Sequence, residues 1–187
     1  MEVYLIRHTT PKIEKGICYG QTDLDVDHSL FEYELKSIQS HLPDDIECFY
    51  TSPLKRCSYL AQQLSNQITV DSRLMEMNFG DWENSNWNEI DPDDLNNWMN
   101  DFVNIQATNG ESYQDLHHRT TEFVDAILAT NHAKIALVTH AGNIRSFISF
   151  ALDLPLEKSF RIQLNYGAIV KLNLDQDPNL CQLKMII

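Results

Sequence analysis

The sequence has no apolar run approaching the roughly 20 residues that cross a bilayer, so no membrane span is expected. Its start, Met1 leading straight into an apolar stretch, has no basic flank and reads as no signal peptide. Positive charge is scarce: 14 lysines and arginines stand against 27 aspartates and glutamates, a formal net charge of −13. So acidic a chain does not readily build the broad basic face that DNA or RNA requires, and anionic membranes repel it for the same reason. The four cysteines, Cys18, Cys48, Cys57 and Cys181, form no C-x-x-C pair, which speaks against a zinc ribbon or a thioredoxin-type site. They read as reduced thiols of a cytoplasmic protein. There is no internal repeat and no low-complexity tract. What remains is an ordinary globular composition, 43% hydrophobic and 22% charged, at a length of 187 residues that suits one domain with a full core.

Three short apolar runs, residues 3–6, 48–50 and 135–138, read as buried strands. Two more strands are expected at 167–174 and 180–187, with the turn Asp177-Pro178-Asn179 between them, giving a C-terminal β-hairpin. Helices fall between the strands. Residues 29–41 put Leu30, Tyr33, Leu35, Ile38 and Leu42 on a broadly apolar side. Ser52-Pro53 is expected to start a helix to about residue 64, with serine as cap and proline in the first turn. Residues 112–130 and 142–152 supply two further helices. Strands alternating with helices predict an α/β fold: a three-layer sandwich with a largely parallel central sheet and helices on both faces.

One stretch departs from the rest. Between Arg73 and Arg119 there is no lysine or arginine, yet ten acidic residues and all three tryptophans, Trp82, Trp87 and Trp98, fall there. The reading is a single domain over residues 1–187 with a lid-like insertion at about 77–110. For most of these acids, a solvated face pinned by aromatic anchors is the simpler account.

The three parallel strands end in chemistry-bearing groups: Arg7-His8 after the first, Ser52 with Arg56 one turn on after the second, and His140-Ala141-Gly142 after the third. In open α/β sheets ligands bind at the carboxyl ends of the strands, and helix N-termini there favour anions. Taken singly, a histidine near a strand end is usually structural and an arginine usually a surface charge. Their coincidence at three strand ends points to phosphate, whose oxygens match an arginine fork.

The same residues carry a family likeness. Leu5-Ile6-Arg7-His8-Thr9 resembles the L-x-R-H-G signature of the histidine phosphatase, or phosphoglycerate-mutase-like, superfamily. Ser52-Pro53-Leu54-Lys55-Arg56-Cys57 resembles its S-P-L-x-R-A segment. Leu74-Met75-Glu76 with Phe79-Gly80-Asp81-Trp82-Glu83 resembles L-x-E-x-x-F-G-x-W-E. Gly110-Glu111-Ser112 with Arg119, and Thr139-His140-Ala141-Gly142 with Arg145, complete the series in the family's order. Thr9 and Asn84 replace two customary glycines, and the family's asparagine after R-H-G has no equivalent at Pro11 to Lys15. Gly16-Ile17-Cys18-Tyr19-Gly20-Gln21-Thr22-Asp23 is similar to the branch that hydrolyses α-ribazole 5′-phosphate, a cobalamin-assembly intermediate.

The resemblance implies a phosphomonoester hydrolase without cofactor or metal, acting on a small phosphorylated metabolite. His8 is the implied nucleophile. Arg7, Arg56 and His140 are implied to hold the phosphoryl oxygens, with His140 as a second cationic donor. Glu76 is the implied proton donor, with Glu83 and Asp81 as rivals. Gln21, Thr9, Ala141, Glu83 and Trp82 are the expected substrate contacts. The acidic stretch argues against a second anionic group on the substrate, and its tryptophans suit an aromatic leaving group. A mutase or sugar-phosphate phosphatase, a metal-dependent phosphatase and a non-catalytic phosphate-binding protein are the competing readings. A homodimer is compatible with all of them.

Overall fold

A computed structural model of the chain describes residues 1–175 and 177–187. Six strands make one sheet in the order β3-β2-β4-β1-β5-β6. Strands β1 (Glu2–Arg7), β2 (Cys48–Thr51), β3 (Ile68–Val70) and β4 (Lys134–Thr139) are parallel. Strands β5 (Ile169–Asn173) and β6 (Gln182–Met185) form the expected antiparallel hairpin at one edge, each a little shorter than the sequence suggests.

Strands β1 and β4 are apolar throughout because both of their faces are covered. Val3, Leu5, Ile135 and Leu137 point to one core with Phe123, Val124 and Ile127 of α4 (Tyr113–Leu128) and Ile144 and Phe147 of α5 (Ala141–Leu152). Tyr4, Ile6, Ala136 and Val138 point to the other, with Phe31, Leu35 and Ile38 of α1 (His28–His41) and Leu60 and Ala61 of α2 (Lys55–Leu64). Each fully buried Leu, Ile or Phe here contributes about 1.5–3 kcal/mol, which fixes the register of the layers. No described helix is long and apolar enough to cross a membrane.

Three expectations change. Leu30 and Tyr33 are 43% and 80% exposed, and the buried stripe of α1 is Phe31, Leu35 and Ile38. Asp27 caps that helix and sets its phase, and the sheet then selects the neighbouring row of side chains. Helix α2 begins at Lys55 with Leu54 at its cap position, and the Ser52 hydroxyl, two residues before that, accepts from Leu54 N at 3.4 Å and meets His140 Nε2 at 2.9 Å. Strand β3 and a short helix, α3 (Pro92–Asn100), were not anticipated.

The acidic stretch has a core of its own. Met77, Trp82, Ile90, Trp98 and Ala107 cluster with Cys18, Tyr113 and Leu116. Helix α3 starts on an Asp91 cap that accepts from Asp93 N and Asp94 N, with Pro92 in the first position. This cluster stands at the carboxyl end of the parallel strands, where Tyr113 and Leu116 join it to α4.

Candidate active site

Register brings the strand ends level. Arg7 pairs with Thr139, and Thr51 with Val138. The ladder continues one step beyond, His8 N to Thr139 O at 3.0 Å and Ser52 N to Val138 O at 3.0 Å. His8, Ser52 and His140 therefore leave the sheet side by side, all buried. The two imidazole centroids are 5.1 Å apart.

Each ring is held in a defined state. His8 Nδ1 lies 2.7 Å from Thr9 O, and a carbonyl can only accept, so Nδ1 carries the proton and Nε2 keeps its lone pair. Burial, then the charges of Arg56 and Arg7, pushes the His8 pKa well below that of a free histidine. His140 is depressed in the same way, by burial first, then Arg56, His8, Arg119 and Arg7. The same burial and neighbouring charges work against the cationic form that the resemblance implies for this ring. Its Nε2 shares a 2.9 Å hydrogen bond with Ser52 Oγ, the hydroxyl expected to cap α2.

The arginines are partly spent on the protein. Arg56 is fully buried, and its Nη1 and Nη2 donate to Thr22 O at 2.8 Å and Gly20 O at 2.5 Å. Arg7 Nη1 donates to Leu164 O at 2.5 Å, and its guanidinium lies 4.0 Å from the Tyr166 ring centroid. What stays unpaired is Arg7 Nε, Arg56 Nε and Thr9 Oγ1, three buried polar atoms around His8 with no partner among the described residues. Buried donors are nearly always satisfied, so such a cluster marks a place for an anion.

Residues 20–22 are strapped from both sides. Arg56 takes their carbonyls, while the Glu83 carboxylate accepts from Gly20 N at 3.0 Å, Gln21 N at 2.8 Å, Thr22 N at 2.9 Å and the Thr22 hydroxyl. Burial works to raise the Glu83 pKa, but these donors outweigh it and hold the carboxyl below its usual range. Gly20 is required, since a Cβ there would lie 1.8 Å from Met77 O.

Glu76 is held differently. Its Oε1 accepts from Met77 N at 2.9 Å and its Oε2 from Gly142 N at 3.1 Å, so the carboxylate rests on the start of α5. A Cβ at Gly142 would come within 2.1 Å of Oε1. Arg119 fixes the segment that carries Glu76, donating to Arg73 O at 2.8 Å, Met75 O at 2.5 Å and Glu76 O at 2.9 Å, and is itself held by Glu111 at 3.0 Å. Gln21 Nε2 adds a 3.1 Å bond to Glu76 O. Asp81, by contrast, is exposed and accepts from Asn109 Nδ2 at 2.8 Å.

A cavity of about 230 Å³ opens over these groups. Arg7, His8, Glu76, Ala141 and Gly142 form its polar end, and Tyr19, Phe79, Trp87, Tyr113 and Phe160 its aromatic wall. Of the three candidate acids only Glu76 lines it. Of the expected substrate contacts only Ala141 does; Thr9 and Gln21 are not among its lining residues, though Thr9 Oγ1 is one of the unpaired atoms at the corner, Glu83 is the strap, and Trp82, 6% exposed, packs against Trp98 with centroids 5.7 Å apart. Trp87 faces the cavity instead. Clefts beside the end of α5 and beside residues 10–17 are larger, about 920 and 870 Å³, so convergent donors rather than size single out this site. Sequence reasoning missed Tyr19 and Tyr166, whose hydroxyls meet at 2.7 Å beside His8. Pairing of β5 against β1 returns the chain to the end of β1, which is the signal that could have found Tyr166.

A doubly covered, largely parallel sheet, with two buried histidines of depressed pKa and unpaired guanidinium donors at its strand ends, defines a protein built to handle a phosphoryl group. The chain belongs to the histidine phosphatase superfamily (branch 1), whose profile matches residues 3–185. It is 25% identical over 92% of its length to a Hydrogenobacter thermophilus protein named "Putative phosphoserine phosphatase 2", covering 89% of that protein. It is also 25% identical to the adenosylcobalamin/alpha-ribazole phosphatase of Salmonella typhimurium, over 89% of this chain and 87% of that one. The alpha-ribazole phosphatase structure from Shigella flexneri shares the fold, with a TM-score of 0.88 at 22% identity over 100% of this chain and 96% of that one.

Proposed function

We propose that the chain hydrolyses a small phosphomonoester through a phosphohistidine on His8. The observation that supports this most is a neutral imidazole, with its Nε2 lone pair free, among guanidinium donors that have no protein partner. His8 Nε2 attacks phosphorus, and the P–O bond to the alcohol breaks. Glu76 gives its proton to the departing oxygen, then takes one from the water that cleaves the P–N bond and releases phosphate. Arg7 Nε, Arg56 Nε, Thr9 Oγ1 and the N-terminus of α5 at Ala141 stabilise the charge gathering on the equatorial oxygens. His140, steered by Ser52, donates to one of them and takes up a proton as the phosphoryl dianion settles. The scheme uses protein groups alone. Residues 77–110 serve as the lid: Glu83 ties them to the loop at 20–22, and Trp87 and Phe79 close on the alcohol.

For that alcohol, the aromatic wall and the Salmonella relative favour α-ribazole 5′-phosphate. A second reading, a phosphorylated hydroxy or amino acid, is favoured by Arg145, which reaches the cavity from α5 and supplies the positive charge that the acidic stretch lacks. Rapid quench of enzyme with ³²P-labelled phosphomonoester tests the chemistry. Acid-labile, base-stable label on His8 is expected. Label on another side chain, or turnover without any covalent label, would remove His8 as nucleophile.

A further inference from the structure

Arg7 and Arg56 are held by two different loops in the same manner. Leu164 O accepts from Arg7 Nη1, and the Tyr166 ring faces that guanidinium at 4.0 Å. Gly20 O accepts from Arg56 Nη2, and the Tyr19 ring faces that guanidinium at 5.4 Å. Each loop thus gives its arginine a carbonyl and an aromatic face, which sets the plane of the fork and leaves Nε open toward the corner. The loops themselves are anchored separately. Residues 164–168 are tied to the end of β1, with Gly167 N donating to His8 O at 3.2 Å and Ala168 O accepting from Arg7 N at 2.9 Å. Residues 20–22 are tied to Glu83 in the acidic stretch. Among the described residues a single hydrogen bond joins the two loops, between the hydroxyls of Tyr19 and Tyr166 at 2.7 Å.

The sheet register places the two arginine backbones, but the direction of two long side chains depends on the loops that grip them. A phosphoryl group in transit needs donors at fixed places around its equatorial oxygens, and a shift of about 1 Å is expensive in rate. The phenol pair is suited to hold that spacing. Burial first, then the bond to Tyr166, drives the Tyr19 pKa upward, so the pair stays uncharged and bonded near neutral pH. Both rings also line the cleft of about 870 Å³ beside residues 10–17, and Tyr19 lines the cavity as well, so the pair is part of the wall between them. Opening that wall would admit water to the guanidinium groups and weaken each donor.

We infer that Tyr19 and Tyr166 are positioning residues: their shared hydrogen bond clasps the two loops so that Arg7 Nε and Arg56 Nε converge on one phosphoryl group. Neither phenol touches the reacting atoms. This rests on reading the corner as a phosphomonoesterase site.

Tyr19→Phe and Tyr166→Phe test it, since both keep the rings over the arginines and remove only the bond. Attack by His8 and hydrolysis of the phosphohistidine use the same equatorial donors, so kcat on p-nitrophenyl phosphate reports the clasp whichever step limits. Each variant should lower kcat about tenfold and leave KM within about twofold. Inhibition by vanadate, which adopts the five-coordinate geometry of the transition state, should weaken about tenfold, and inhibition by orthophosphate should barely change. The double variant should be no worse than either single one, because either change removes the same bond. Tyr166→Leu, which also strips the face from Arg7, should fall further. Losses that multiply in the double variant would assign each phenol a separate contact. Losses confined to KM, or vanadate and orthophosphate weakened alike, would reduce the pair to a plain wall of the binding site. Single variants with wild-type kcat would leave the pair without a role in turnover. Each of these results overturns the inference and leaves the phosphatase reading standing. A wild type that turns over no phosphomonoester, in a panel with α-ribazole 5′-phosphate and O-phosphoserine, takes down both together. Should one phenylalanine variant not fold, kcat and the vanadate comparison in the other decide the matter.

Discussion

The strand-end corner around His8 and the acidic stretch from residue 77 to 110 sit face to face across one small cavity, and they use charge in opposite ways. The corner concentrates Arg7, Arg56 and two buried imidazoles in a chain whose net charge is −13. The acidic stretch and its flanks carry many carboxylates, yet those with partners are occupied with the protein's own backbone and side chains. Glu83 straps residues 20–22, Glu111 grips Arg119 and Asn78 N, Asp91 caps α3, and Asp115 forms a capping box with Ser112. Counting charges along the sequence therefore misjudges the potential a ligand meets. The acids expected to repel a second anion are turned to structural use, while Arg145, from outside the stretch, looks into the cavity. Placement decides the local field, because a pair inside a protein interacts far more strongly than one across water.

The sharpest way to break this division is at the nucleophile. His8→Ala should reduce turnover by about 10⁴–10⁶-fold, the loss seen when a covalent nucleophile is removed. The thermal midpoint should stay close to wild type, since among the described residues the ring makes one hydrogen bond, to Thr9 O, and its removal relieves the crowding of His140, Arg7 and Arg56 around a buried polar ring. Trp87→Ala, across the cavity, should act mainly on KM. Comparable losses of kcat in both variants would mean that the acidic stretch takes part in the chemical step.

Next in size is Glu76, the carboxylate at the seam between the two regions. Glu76→Gln should slow the first step on alkyl phosphates by about 10²–10⁴, the usual worth of general acid catalysis. Nitrophenolate leaves without needing a proton, so the burst of nitrophenol should suffer far less, even where steady-state turnover slows for want of a base. Equal burst losses on both substrates would reduce Glu76 to a structural support. Asp81→Asn should not show the selective effect, because Asp81 lies outside the cavity.

Arg56→Ala should cost about 10²–10³ in kcat, the scale for one transition-state donor. The hydrogen bonds of Arg56 also say what Arg56→Lys should do. Arg56 holds Gly20 O and Thr22 O with its two Nη groups, and one ammonium cannot span both while presenting a third donor to phosphate. Arg56→Lys should therefore also be severe, with faster amide exchange at residues 20–22. Glu83→Gln should loosen the same loop from its other side at a smaller cost in kcat. An Arg56→Lys variant within about threefold of wild type, against the 10²–10³ expected for a lost donor, would show that charge alone is the contribution.

How much of this was legible in the sequence follows from how local each feature is. Strands β1, β2 and β4 stand out because burial on both faces makes an unbroken apolar run, and their ends carry Arg7, His8, Ser52 and His140. Arg56 follows from its place one turn after the second strand and Glu76 from the family resemblance, and both fall beside the corner. The rest depends on contacts far apart in sequence. Phe31 rather than Leu30 faces the sheet because cap and packing set the helix phase together. Trp82 and Trp87 look alike in sequence, yet only Trp87 reaches the cavity. Ser52 reads as a helix cap, yet α2 starts at Lys55 and the Ser52 hydroxyl reaches His140, 88 positions away. Tyr166 enters only through the hairpin that closes the sheet.

The smallest effect to test is a sign. His8 and His140 both have folded-state pKa values pushed below that of a free histidine, burial being the first cause in each. As pH falls through about 6.5, the unfolded chain takes up protons at these positions while the folded chain does not. Their contribution to stability is thus intact above the unfolded pKa and declines as pH drops below it. The acidic stretch pulls the other way in this range, since partial protonation of a chain at −13 relieves repulsion. Glu83, Asp71 and Asp115, whose carboxyls are held below their usual range, weaken only at still lower pH. The quantity to measure is therefore a difference: urea midpoints at pH 7.5 and 5.0 for wild type and for His140→Gln, with and without orthophosphate. The wild type should lose more on acidification than the variant does. Bound phosphate should narrow the gap, because a dianion beside His140 favours its protonated form. Parallel midpoints for the two proteins would mean that His140 takes up its proton in the folded state as readily as in the unfolded one. The corner would then be far better hydrated than its burial indicates, and the contrast between it and the acidic stretch would rest on shape rather than on charge.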